Sequence, residues 1–141
     1  MTIAVMYDHN GVAYELTSPN DAGEQFDQQT QRILRDGRSA HTLWWGTSDQ
    51  GPDPRGDVNV DSLRLRIDID PEMGRAAVRW LPDGTHVQEL EPTTTLTVIE
   101  SADAADVIIP AELAVVSIPT ARTIAVSFAA DGQRPTGVSW S

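Results

Sequence analysis

Residues 63–70 read LRLRIDID, four aliphatic side chains alternating with four charged ones. Strict alternation is the pattern of extended chain, in which successive side chains point to opposite faces. The spacing predicts an antiparallel strand. Leu63, Leu65, Ile67 and Ile69 would face a core; Arg64, Arg66, Asp68 and Asp70 would face solvent. A half-buried strand cannot stand alone, so the chain must build a sheet and cover one side of it.

The flanking sequence supplies the partners. Ile3 to Tyr7 reads as a short strand, Asn10-Gly11 as a hairpin turn with positive φ at both positions, and Val12 to Leu16 as the returning strand. Ser18 is placed to N-cap a helix, with Pro19 at its first position, Asp21 completing the capping pattern and Gly37 stopping it. That helix spans about 18–36 and would turn Phe26, Thr30, Ile33 and Leu34 toward the sheet. His41 to Thr47 reads as a strand, and SDQGPDPRGD as a polar loop.

After LRLRIDID, strands are expected over Ala76 to Leu81, His86 to Leu90, Thr94 to Ser101 and Val107 to Ile109, separated by Gly/Pro/Asp turns. A second helix covers about 119–131, with Ile118, Ala121, Arg122, Ala125, Phe128 and Ala129 on one face and Gly132 at its end. Thr136 to Trp140 alternates as a last strand, and Trp140 would pack under the second helix to anchor the chain end. The expectation is one α+β domain over 1–141, a mostly antiparallel β-meander with two helices packed on it.

Composition narrows the function. The 141 residues include no Cys, so disulfides, thiolate chemistry and Cys-based metal sites are excluded. No apolar run is long enough to span a bilayer, and the start MTIAVMYDHNG lacks the features of a signal peptide, so a soluble, cytoplasmic protein is expected. The net charge is −11, and the ten basic residues are all Arg. Such a chain is repelled by nucleic acid and anionic membrane and attracted to basic proteins.

No nucleotide-binding, P-loop or serine-hydrolase motif is present. His9, His41 and His86 are scattered, with no metal-ligand spacing, so no metal or cofactor is expected. Asp68, Asp70 and Glu72 could do acid–base work, but Arg64 and Arg66 on the same face make a solvated, paired surface the stronger reading. Trp44 and Trp45 are adjacent and must point to opposite faces. One belongs to the core; the other is either covered by the first helix or exposed as an anchor for a partner.

The segment SIPTARTIAVSFAADGQRPTGVSW (117–140), with its Pro-initiated helix, Gly-x-Arg-Pro-Thr turn and closing Val-x-Trp, resembles the family-1 immunity proteins of bacterial polymorphic toxin systems. The central RLRIDIDPEMGRAAVRWLPDG (64–84) is similar to a hairpin of that family. The resemblance implies an α+β protein without catalytic activity. It would bind a cognate toxin domain one to one, often a nucleic-acid deaminase or nuclease, and occlude its active site or substrate groove. A basic toxin groove would meet an acidic surface, with no direct contact to nucleic acid or membrane. The expected contacts are Asp49, Asp53 and Asp57 of the long loop, Trp44 or Trp45, Asp68, Asp70 and Glu72 of the meander, and Glu89 and Glu91. An acidic interaction domain with an unrelated partner, and a carboxylate-based enzyme, are the alternatives.

Overall fold

A computed structural model of the chain describes residues 3–35, 40–48, 60–101 and 104–141. In chain order the elements are β1 (Ile3–Tyr7), β2 (Ala13–Leu16), α1 (Pro19–Arg35), β3 (His41–Ser48), β4 (Leu63–Asp70), β5 (Arg75–Trp80), β6 (Thr85–His86), β7 (Leu96–Val98), β8 (Val107–Ile109), β9 (Val116–Ser117) and α2 (Ile118–Asp131). The fold is α+β. The main sheet runs β2-β1-β3-β4-β5-β6, with β9 also on β5, and every pairing between its strands is antiparallel.

Both helices cover one side of this sheet. Phe26 and Ile33 of α1, and Ala121, Ile124 and Phe128 of α2, pack with Leu43, Trp45, Leu65, Ile67, Ile69 and Val78. The start of α1 follows the expected capping: Ser18 Oγ accepts from Asp21 N at 3.1 Å, and Asp21 reaches back to Thr17 N at 3.1 Å. The buried face of α1 is rotated from the expected one. It carries Ala22, Phe26, Gln29 and Ile33, whereas Leu34 is exposed. On α2, Arg122 points outward and pairs with Asp27 of α1 at 2.9 Å; Ile124 takes the core position.

The other side of the sheet is not the solvated surface that alternation suggested. β7 and β8 leave the meander and pair as a separate two-stranded sheet. Leu96, Val98 and Ile109 pack on Ala40, Ala77 and Ala114. The molecule is therefore layered helices, sheet, hairpin, and Arg66, Asp68 and Asp70 are buried between the last two layers. Alternation reports two unlike faces; it does not report whether the polar one meets water or a polar interior.

Leu63 also departs from the pattern. Trp45 pairs with Leu65 but Gly46 pairs with Leu63, so Arg64 is an extra residue in a β-bulge. The bulge turns Leu63 away from Leu65 and onto the second face, beside Val5, Tyr7 and Trp44. Gly46 allows this, because a β-carbon there would lie 2.6 Å from the Ser62 carbonyl oxygen.

Two turns differ in type from expectation. At the first hairpin only Gly11 has positive φ. Asp8, not an Asn-Gly pair, organises the loop: its Oδ1 accepts from Asn10 N at 2.9 Å and Val12 N at 3.0 Å, while its carbonyl accepts from Gly11 N. At the C-terminus, Gly132 caps α2 with φ 70°, donating to the Phe128 carbonyl. The expected last strand is only a bridge between Val87 and Trp140, flanked by Ser141 N to His86 O at 2.9 Å and Gln88 N to Ser139 O at 3.0 Å. The anchor nevertheless forms. Trp140 meets Trp80 edge to face, Trp80 meets Phe128 the same way, and Trp140 Nε1 donates to Pro135 O at 2.9 Å. Among the described residues no helix is long and apolar enough to cross a membrane.

Gly46→Ala should force the Ser62 carbonyl away and disturb the bulge. A loss of about 1–3 kcal/mol is expected, read as a lower urea midpoint. An unchanged midpoint would show that the close approach at Gly46 is not needed for folding.

Candidate functional site

The second face of the sheet has a polar centre and an apolar flank. At the centre, the Asp68 carboxylate has no solvent-exposed side-chain surface. It accepts from Thr42 Oγ1 at 2.6 Å, from Arg66 Nε and Nη2 at 3.1–3.2 Å, and from Arg79 Nη2 at 3.1 Å. The donors come from three adjacent strands, because β3, β4 and β5 place Thr42, Asp68 and Ala77 in register. A carboxylate can accept about four hydrogen bonds, so the lone pairs of Asp68 are taken up within the protein. Arg66 reaches outward as well: its Nη2 lies 2.9 Å from Glu100 Oε2. Its guanidinium carbon sits 4.7 Å above the Trp44 ring.

The apolar flank is a groove on both sides of Trp44. One cavity of about 270 Å³ is lined by Tyr7, Asp8, His9, Gly11, Trp44, Val60, Leu63, Glu100 and Ser101. A neighbouring one of about 530 Å³ is lined by Trp44, Val60, Leu63, Arg64, Leu81 and Pro82. Trp44 is half-buried, Val60 is 72 % exposed and Leu81 is at the surface. Pairing of β1 with β3 puts Tyr7 opposite Trp44, and the bulge in β4 brings in Leu63.

The expected contact residues divide sharply. Trp44 lines the groove, but Trp45 is fully buried under the helices and cannot meet a partner. Asp68 and Asp70 are corrected from surface to interior. Asp70 is spent on the turn after β4, where Oδ1 accepts from Met73 N at 3.1 Å. Glu72 and Glu91 are exposed. Glu89 is exposed but committed: Oε1 accepts from Ser117 N at 2.7 Å and Oε2 from Thr120 Oγ1, at the N-terminus of α2. Partial burial pushes the Glu89 carboxyl up, but the Thr120 and Ser117 hydrogen bonds outweigh it and hold it below its ordinary value. Asp49, Asp53 and Asp57 lie outside the described residues.

Several residues of this face were not singled out by sequence. Tyr7, Leu63, Val60 and Glu100 become neighbours of Trp44 only through strand order and the bulge. His9 and His41, expected as isolated residues, have ring centroids 3.9 Å apart. Asp68, Asp70 and Glu72 line neither cavity. Among the described residues no group of three or more His, Asp or Glu side chains is disposed to hold a metal ion.

No protein-family model matches this chain, and no curated protein matches it. Neither comparison carries the resemblance to immunity proteins.

Two substitutions distinguish the two buried carboxylates. Asp68→Asn removes the charge that faces Arg66 and Arg79 and should cost about 3–5 kcal/mol in urea denaturation. A stability loss near zero would contradict the buried network. Asp70 behaves oppositely. Burial, with a smaller push from Glu72, raises its carboxyl above 3.8 against the Met73 and Glu72 backbone hydrogen bonds. A raised folded-state pKa means the fold favours the protonated acid. That contribution is complete below the unfolded value and is lost as pH rises through the folded one. Asp70→Asn keeps an acceptor for Met73 N. It should melt higher than the parent protein near neutral pH, with the difference closing as pH falls toward about 4. A difference that grows on acidification would reverse the sign of this assignment.

Proposed function

We propose that this protein is a non-catalytic inhibitor of a basic, nucleic-acid-acting toxin domain, an immunity protein that binds its target one to one in the cytoplasm of the producing cell. The observation that carries the reading is the division of charge. Every arginine whose side chain is described bonds an acceptor within the protein: Arg32 to Asp8, Arg64 to Asp61 O, Arg66 and Arg79 to Asp68, Arg75 to Glu91 O, Arg122 to Asp27 and Arg134 to Asp83. Exposed carboxylates such as Asp61, Glu72, Glu91, Asp106 and Glu112 remain as the outward charge of a chain at −11.

An acidic surface beside a half-buried Trp in an apolar groove suits a protein partner better than a small substrate. Aromatic anchors in such grooves dominate binding energy, while surrounding charges set approach rate and orientation. The resemblance of 117–140 and 64–84 to family-1 immunity proteins points to the same class of partner. Trp44, Glu72, Glu91 and the carboxylates Asp49, Asp53 and Asp57, outside the described residues, are the contacts this reading assigns. Occlusion of the toxin's substrate groove follows from charge, since a site that holds nucleic acid is basic. The alternative of an acidic interaction domain with an unrelated partner shares the face and differs in what it meets.

Calorimetry of this chain with the toxin domain encoded beside it, at two salt concentrations, tests the proposal. The expected result is 1:1 binding with Kd of about 1 nM and loss of toxin activity. Raising the salt should weaken binding about tenfold without abolishing it. Absence of binding would assign the face to another partner.

A further inference from the structure

We propose that the groove beside Trp44 seats one cationic side chain, an arginine or lysine of the bound protein, with its stem along Trp44 and Leu63 and its charged head at Glu100. The inference rests on the partner reading above and specifies the chemistry of the contact.

The argument is one of unspent acceptors. Two carboxylates line this cavity, Asp8 and Glu100. Asp8 is saturated: Oδ1 serves Asn10 N and Val12 N, and Oδ2 serves the Tyr14 hydroxyl and Arg32. Glu100 is not. Among the described residues its cationic partner is Arg66, and that guanidinium is shared with Asp68 and with the face of Trp44. The Glu100 side chain is 34 % exposed, against 9 % for Arg66 and none for Asp68. Two guanidinium groups, Arg66 and Arg79, balance two carboxylates, Asp68 and Glu100, and the outermost member, Glu100, keeps free lone pairs at the groove.

That ending excludes two classes of occupant. An anion would meet Glu100, with Arg66 withdrawn behind it. A purely apolar side chain would fill the space between Trp44 and Leu63 but strip water from Glu100 and return no hydrogen bond, a costly exchange. A long aliphatic stem with a cationic tip satisfies both parts of the site.

The test uses peptide probes, independent of any toxin. Capped Leu-Arg-Leu and Leu-Gln-Leu amides are titrated into the intact protein while the backbone and indole NMR signals of Trp44 and Leu63 are followed. The Arg peptide is expected to bind about fivefold tighter, the scale of one aromatic and ionic contact at a partly exposed site. Glu100→Gln should remove the preference; Glu72→Gln should leave it. Trp44→Ala should weaken both peptides, and its NMR spectrum reports whether it is folded. Equal binding of the two peptides, or shifts centred away from Trp44, overturns the proposal. A toxin bound at full affinity by Glu100→Gln also overturns it while sparing the immunity reading. Peptide discrimination without toxin binding does the reverse.

Discussion

The Asp68 carboxylate determines how this sheet can be covered. An ionised group without solvent contact is tolerated only where its charge and lone pairs are met. Here Thr42, Arg66 and Arg79 meet them from β3, β4 and β5. The cluster ties three strands together across their side chains, in addition to the backbone ladder. It also lets the β7–β8 hairpin close over the second face, since Ala77, opposite Asp68 on β5, offers a small apolar seat for Leu96, Val98 and Ile109. A simple two-layer protein would have needed no such cluster.

The layers explain what the sequence could and could not reveal. The ends of α2, the capping of α1, the span of β4 and the stop at Gly132 were legible because each is written in a local signal: a cap residue, a proline, a period, a glycine with φ 70°. The solvent status of Asp68 and Asp70 was not. Alternation over 63–70 is the same whether the polar face meets water or the inner side of another layer, and the covering strands lie about thirty residues further on. The burial of Trp45 and partial exposure of Trp44 were ambiguous for a related reason. Adjacent strand residues must diverge, but only the helix positions decide which one is covered.

The groove was the least legible feature, because it depends on one irregularity. In a regular ladder Arg64 would pair with Gly46 and Leu63 would follow Leu65 into the helix-side core, and Trp44 would lose a packing partner on its own face. The bulge depends in turn on Gly46, where a side chain would collide with the Ser62 carbonyl. A glycine in a strand usually weakens it; here its lack of a side chain admits the turn at Val60–Ser62, which brings Val60 beside Trp44. The stretch HTLWWGT announces a strand, and its glycine gives no sign of which neighbour approaches it.

Charge follows from the same construction. The chain has arginine and no lysine, and Arg66 illustrates what lysine could not do. Its planar fork engages Asp68 through two nitrogens, approaches Glu100 through one of them and stacks on Trp44 with its face. An ammonium is a point charge and would serve one of these contacts well. Arg75 similarly bridges Glu91 O and Ala114 O, holding the segment after β6 to the segment before β9. Guanidinium groups paired with carboxylates, as Arg66 and Arg79 are with Asp68, have their charge offset within the protein. The groove beside Trp44 ends on Glu100, which holds Arg66 Nη2 at 2.9 Å and keeps a third of its side chain exposed beyond that contact.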